Sequence, residues 1–521
     1  MGIQMFAKNP NTSNWKSLHC QKIFGAAIGF LSTIGFAQNS VKNDDLNKNS
    51  YYFSPTVSIL QEFTTNAKLD ANNVNGYLTQ ISPGFRWIAN SSKIKGFIDY
   101  SLDATADSDG IKKYYIKNRL NANVVLEAVE EFAFIDLLGA ISTQPVSAFG
   151  QPVSSSRKTA NSTEVKTFQI SPYILGNFEN NFDYEARYSI RDIKSDAKAN
   201  NDSRIQKLYL DFKSPERGKY LRWQAIASHE NLEFQRSRNI STEIGRGALI
   251  YRITPQTAVS LIAGGESTNQ ITLKKEFHSV FGIGAQWQPS ERTKLDTFIE
   301  KRYFGNAHKI EFEHRTRKTI WRYIDIKGIS NGSGNESNLA GNIFNLLDGF
   351  YSQTEADPVK RTKIVLAEIE RLGLQTDSQL FNDFFRSTNT LQRTQNLSVM
   401  MLGQRSTLTL NAFRQSNKIL AARLKLIDDF ENGEIIFQDG LSFLVAHRLN
   451  PNTSIFADVK VQHNKANVSE LKNHLRSLRL GLSQKLSRNT NLNFQLSRSL
   501  SEQKNGGYDE TTFVGVMTYR F

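Results

Sequence analysis

The chain has 521 residues, with 64 Lys and Arg against 50 Asp and Glu, for a formal net charge of +14. Only 39% of it is hydrophobic, and no stretch of the body approaches the roughly 18 uncharged apolar residues of a membrane helix, so a helical membrane protein is excluded. Its 34 phenylalanines can bury too much apolar surface for a disordered polymer, and the single cysteine, Cys20, excludes a disulfide framework and a cysteine-based zinc site.

Residues 1–22 carry Lys8, Lys16 and Lys22 and no acid, and an uncharged apolar run follows from Ile23 to Phe36. Small residues at Gly35 and Ala37 complete a secretory signal, with cleavage expected after Ala37. Residues 38–50 then form a short periplasmic segment, and Cys20 leaves with the signal.

From residue 51 the chain alternates with a period of two. Tyr184, Ala186, Tyr188 and Ile190 share one face, opposite Glu185, Arg187, Ser189 and Arg191. Ile455–Val461, Leu478–Leu482 and Leu492–Leu496 repeat the pattern, so the strands have one apolar and one wet face. They run about 10–15 residues, long for a soluble sandwich and suited to tilted membrane strands. Short links near Ala89–Ser92, Glu130, Asn177–Asn180, Ser214–Gly218, Pro255, Pro289–Glu291, Arg315–Arg317, Gly403–Arg405, Pro451 and Arg488–Asn489 alternate with longer polar loops. Such asymmetry is the habit of outer-membrane barrels, and the links imply about 22 strands over 51–521. The fold class expected is all-β, a single large transmembrane antiparallel β-barrel.

Residues 331–390 break the pattern. The loop Asn331-Gly332-Ser333-Gly334-Asn335 leads into helical spacing at Ile343, Phe344, Leu347 and Phe350. Asp357-Pro358 reads as an N-cap with proline at the first helical position, and Val359, Val365, Ile369 and Leu372 continue an apolar face to the stop at Gly373. A further apolar run spans Leu380 to Phe385. Counting links places this helical insertion on the extracellular rim. Its apolar residues Phe344, Leu347, Phe350, Val365 and Ile369 need a partner, so the helices are expected to fold over or into the mouth as a lid.

The chain ends on a strand with Phe513, Gly515, Met517, Tyr519 and Phe521 on one face and Thr518 and Arg520 on the other. A lipid-facing stripe ending in aromatics suits a closing strand at the interfacial girdle, and the terminal Phe resembles the signature read by barrel-assembly machinery.

A family resemblance rests on several of these residues. Ser54-Pro55-Thr56-Val57-Ser58-Ile59 with Glu62-Phe63-Thr64-Thr65-Asn66, then Gln80-Ile81-Ser82-Pro83-Gly84-Phe85-Arg86, then Gly96-Phe97-Ile98-Asp99-Tyr100-Ser101-Leu102, resemble three successive strand motifs. Asp357-Pro358-Val359-Lys360-Arg361 with Leu372-Gly373-Leu374 resembles a helical landmark. Together they resemble the outer-membrane proteins associated with PEP-CTERM/exosortase systems of Gram-negative bacteria. The resemblance implies outer-membrane residence and a link to exopolysaccharide, its export proteins and surface-protein sorting, and it brings no catalytic residues.

Chemistry is sparse. The eight histidines include no pair at metal-ligand spacing, and His308 and His314 should share a strand face opposite Glu311 and Glu313. No nucleophile elbow or phosphate-binding glycine loop occurs, and Gly282-x-Gly284 reads as small residues in a crowded wall. No cofactor, metal, catalytic group or nucleic-acid partner is expected. Arg187, Arg191, Arg222, Arg322, Arg479 and Arg520 fall on polar faces and form a candidate basic lumen that would concentrate anions. The competing reading is that basic residues bind lipopolysaccharide phosphates outside or balance luminal acids such as Asp183, Glu185 and Asp458. Three functions follow: a pore or scaffold of an exopolysaccharide and exosortase pathway, a general diffusion porin for small anionic solutes, or a barrel enzyme.

Overall fold

The computed structural model describes residues 50–521 apart from 155, 180, 197–201, 216–219, 236, 331–341, 373, 375–379, 382, 387, 421–428, 431–434, 470 and 504–506. The signal at 1–37, nearly all of the segment 38–50, the loop at 331–335 and the stop at Gly373 therefore lie outside the described residues.

Among the described residues twenty-two antiparallel strands form one sheet. In chain order they begin with β1 (Ser50–Thr64), β2 (Gly76–Asn90), β3 (Ile94–Asp107), β4 (Tyr114–Val129), β5 (Ala133–Pro145) and β6 (Ser162–Phe178). Next come β7 (Phe182–Ser195), β8 (Ser203–Lys213), β9 (Leu221–Phe234), β10 (Ile240–Thr254), β11 (Thr257–Thr268) and β12 (Glu276–Ser290). Then follow β13 (Thr293–Arg302), β14 (Gly305–Arg315) and β15 (Thr319–Ser330), and after them the helices α1 (Ile343–Tyr351) and α2 (Pro358–Arg371). The chain finishes with β16 (Thr390–Leu402), β17 (Ser406–Ile419), β18 (Ile435–Asn450), β19 (Thr453–Ala466), β20 (Lys472–Lys485), β21 (Thr490–Gln503) and β22 (Tyr508–Arg520).

Each strand pairs with its chain neighbours, and β22 pairs back onto β1 from Thr56↔Arg520 to Thr64↔Thr512, which closes the barrel. Inside the seam the Ser58 and Thr518 hydroxyls lie 2.9 Å apart, and the Thr64 hydroxyl donates to Glu510 at 2.7 Å. Closure leaves no edge strand, the condition for a sheet to sit in lipid. All ten expected short links fall between strands at one rim, and most of the loops at the other rim are longer. The shortest loop at that rim is the two-residue link Tyr303–Phe304 between β13 and β14, where Gly305 supplies the left-handed turn at φ 103°. By the habit of such barrels the short-link rim is periplasmic and the long-loop rim extracellular.

The outward face carries the apolar alternation. On β22 these residues are Phe513, Gly515, Met517 and Tyr519; Leu478 and Leu480 on β20 and Phe281 and Ile283 on β12 continue the band, all large members exposed on the isolated chain. The partners on the other face, such as Thr394, Asn396 and Ser398 on β16, are polar and buried. Phe521 follows β22, donates its backbone N–H to Pro55 O at 3.1 Å, and packs edge-on against Tyr519. An apolar band on the outside of a closed barrel with a polar interior is the build of an outer-membrane β-barrel.

The facing can be measured. Met517→Arg should cost about 2–4 kcal/mol near the bilayer midplane, whereas Thr518→Arg, on the luminal side, should be mild. Heat-modifiable gel mobility of the two variants reads this out, and equal damage from both would refute the assignment of faces.

Candidate functional site

The lumen is where this chain departs from a plain barrel. Residues 331–389 leave and rejoin the wall at the long-loop rim, between Ser330 and Thr390. The expectation of a lid at that mouth needs correction, because α1 and α2 sit at the opposite end. Their apolar face packs on luminal Ile88 and Phe97 beside the β2–β3 link, on Ile320 beside the β14–β15 link, and on Met400 beside the β16–β17 link. The Phe97 and Phe344 rings lie 5.3 Å apart. All five expected lid residues, Phe344, Leu347, Phe350, Val365 and Ile369, are buried in this one cluster. The physical reason is complementarity: the wall next to these short links presents apolar side chains to the lumen, and a helix pair with an apolar stripe is drawn there by the area removed from water.

Local sequence chemistry builds the hairpin. The Asn342 side chain caps α1 by accepting from Asn345 N at 2.8 Å. Asp357 caps α2 by accepting from Val359 N at 2.8 Å and Lys360 N at 3.1 Å, with Pro358 opening the helix. Arg361, almost fully buried, binds the helices together through Asp348 at 2.7 Å and the Glu355 carbonyl at 3.1 Å. Gly349 lets α1 lie against the wall, since a Cβ there would collide with the Arg322 guanidinium.

Polar ties fix the hairpin to the barrel at the short-link end. Glu370 on α2 pairs with Arg520 and accepts from the Asn491 side chain, and Arg315 donates to the Gln353 carbonyl. Burial holds the Lys363 ammonium below the usual lysine range despite Asp357, and pushes the Tyr351 phenol up to about 12. After α2 the chain climbs back. Leu372 packs on Ala446 and Phe456 near the β18–β19 link. Phe381 lies 3.8 Å from the Phe413 ring, and Phe384 and Phe385 join separate clusters toward the long-loop rim.

A second inward segment crosses the other end. The β5–β6 loop inserts Arg157, 1% exposed, between Glu62 of β1 (3.3 Å) and Asp107 of β3. Lys117 donates to the Ser156 carbonyl at 2.7 Å. The same loop reaches β19 through Asn464, which donates to the Ala148 carbonyl at 2.5 Å, and Asp429 holds it by accepting from Ser147 at 2.7 Å and Ala148 N at 2.6 Å. The sequence reading missed this latch. A lone arginine in a polar loop carries no periodic signal, and its partners come from strands far away in the chain.

The six arginines read as a basic lumen all point inward, and most have local partners. Arg187 pairs with Asp136 and with Glu185 (2.8 Å), Arg322 with Glu311 (2.8 Å) and Glu313 (3.3 Å), Arg479 with Asp458 (2.7 Å), and Arg520 with Glu370. Arg191 donates to Gln169 at 2.5 Å, and Arg222 is buried on β9. The luminal acids Glu185 and Asp458 are thus matched to arginines, while Asp183 accepts from Asn177. His308 and His314 share one face of β14 as expected, the outward one, bound to Asp325 and Thr293, while Glu311 and Glu313 lie on the opposite, inward face. Gly282 and Gly284 face the lumen of β12, where a Cβ at Gly282 would lie 2.6 Å from Ile299 O. The bare backbone there leaves room for Arg246 of β10 to reach Glu300 of β13 at 2.8 Å.

No family model matches the chain, and no curated protein matches it. Among solved structures it is similar to the FrpB iron transporter from Neisseria meningitidis (F5-1 variant), at 11% identity over 91% of this chain and 83% of that one, with a TM-score of 0.47. It is also similar to the siderophore receptor PirA from Pseudomonas aeruginosa, at 9% identity over 90% and 80%, TM-score 0.39. OpdK from Pseudomonas aeruginosa, solved with vanillate, matches at 10% identity over 90% and 98%, TM-score 0.30. These are likenesses of barrel form only.

The hairpin's hold on the wall can be tested separately from the barrel. Phe350→Ala should cost the hairpin about 3–5 kcal/mol of seating energy. Hydrogen exchange of 343–371 should then accelerate while the strands stay protected; unchanged protection of the helices would refute the seat.

Proposed function

We propose that this chain is an outer-membrane conduit whose resting lumen is obstructed by its own α1–α2 hairpin, which acts as an internal gate. The observation that carries the proposal is the seat of the hairpin at the short-link end: an apolar cluster against Ile88, Phe97, Ile320 and Met400, tied down by Glu370. A structural filler alone would not need to enter from the far rim, cross the lumen and return. The covering loop anchored by Arg157 adds a second constriction at the extracellular end.

The cargo is a polar solute or polymer. Exopolysaccharide, with an exosortase-linked role, rests on the strand and helix motifs of the sequence resemblance. Carboxylates beside four of the six luminal arginines support weak rather than strong anion preference. A second reading, a diffusion porin open beside the hairpin, is favoured by the half-buried polar chains Asn121, Asn123 and Glu127 that line β4.

Single-channel recording in planar bilayers separates the two. Replacing 335–388 with a short Gly/Ser linker should raise conductance well above that of the intact chain. An unchanged conductance in a folded variant rejects the gate, and a large steady conductance of the intact chain favours the porin.

A further inference from the structure

Above the apolar band, on the outer face toward the long-loop rim, the barrel carries charge that faces neither lumen nor loops. The register places it. Lys327 of β15 lies directly opposite Arg393 of β16, and Lys465 of β19 directly opposite Lys472 of β20. Between them Arg414 of β17 faces Gln395 and Asp439. Each lies on the outward parity set by Leu397, Leu410, Leu441, Val459 and Leu478, the exposed apolar residues of the band below.

Like charges directly opposite across two strands repel, and ladders ordinarily avoid them. Here two such pairs stand on one flank, and the rings of His463 and His474, also register partners, lie 4.7 Å apart beside the Lys465–Lys472 pair. Local acids answer only part of the charge. Asp325 is occupied by His308 (2.9 Å) and Arg393 (2.6 Å), and Asp439 by His463 (3.2 Å). Among the described residues Lys327, Arg414, Lys465 and Lys472 make no ion pair. The three on β17, β19 and β20 are exposed.

A cationic surface immediately above an apolar band is complementary to one kind of molecule, an anionic amphiphile with its chains along the band and its phosphates at the level of the cations. We infer that the outer flank of β15–β20 is a docking site for a phosphorylated glycolipid of the outer leaflet, held through its headgroup phosphates by Lys327, Arg414, Lys465 and Lys472. The phosphates screen the opposed cations, so lipid and ladder stabilise each other. This site is independent of whether the lumen conducts.

The test uses the full chain, delipidated in non-ionic detergent and titrated with diphosphoryl lipid A. The variant Lys327→Gln/Arg414→Gln/Lys465→Gln/Lys472→Gln should bind about tenfold more weakly or worse. Lys166→Gln/Arg204→Gln/Lys275→Gln/Lys301→Gln, which removes the same charge from the other flank, where Lys166, Arg204 and Lys275 are answered by acids, should bind as the parent does, and dephosphorylated lipid should bind the parent poorly. Heat-modifiable mobility verifies that both variants are folded. Equal loss in the two variants, or equal binding of dephosphorylated lipid, overturns the proposal. Displacement of lipid by inorganic phosphate at matching concentration also overturns it, since the flank would then be a free-anion site.

Discussion

A strand buried in hydrocarbon cannot leave its backbone amides and carbonyls unpaired, and this one constraint organises the molecule. It demands a closed sheet, which the Thr56–Thr64 pairing with Thr512–Arg520 provides. Closure separates the two faces of every strand, so apolar outward residues such as Phe281, Leu478 and Met517 alternate with a polar interior. A ring of 22 strands is also wide. A lumen of that width would be an open hole unless something from the chain occupies it, and the α1–α2 hairpin of the β15–β16 connection at one end and the β5–β6 loop at the other do so.

How the connection occupies it follows from where the wall is apolar. A helix pair with one apolar stripe gains little against a polar lumen, and much against Ile88, Phe97, Ile320 and Met400. They form two adjacent pairs, Ile88 with Phe97 and Ile320 with Met400, far apart in sequence and brought level only by the register of the barrel. The hairpin is therefore a product of closure: its seat does not exist until β2, β3, β15 and β16 are in place, and its Glu370 anchor meets the last strand, which closes the ring. The luminal ion pairs follow the same logic. Charges that must face inward beside low-dielectric wall are matched locally, and Arg187, Arg322 and Arg479 each have a carboxylate close by in the wall.

Much of this was legible in the sequence, for reasons that differ by feature. The period-two alternation of Tyr184–Arg191 or Leu478–Leu482 is local, as are turns, so the strands and their number could be counted. The caps at Asp357 and the apolar spacing of 343–350 are equally local and marked both helices. The depth of the hairpin was not legible, because its partners are single apolar residues on otherwise polar faces, and a lone Ile88 or Ile320 reads as noise in an alternating strand. The partners of the luminal arginines were hidden likewise: Arg187 and Asp136 are 51 residues apart, and only the register makes them neighbours. The opposed cations Lys327 and Arg393 or Lys465 and Lys472 likewise become a patch only once strands are paired.

The central claim is that an insertion entering from the long-loop rim is seated at the short-link end of the lumen. In a Cys20→Ser background, Glu370→Cys/Arg520→Cys in outer-membrane vesicles, treated with a short bismaleimide, measures this directly. Ser58→Cys/Thr518→Cys, whose native hydroxyls lie 2.9 Å apart across the seam, serves as the positive control. The seated hairpin requires both pairs to cross-link in the folded, heat-modifiable barrel. A barrel in which the seam pair closes but 370 and 520 do not, with residue 370 instead labelled by an impermeant reagent from outside, would contradict the account.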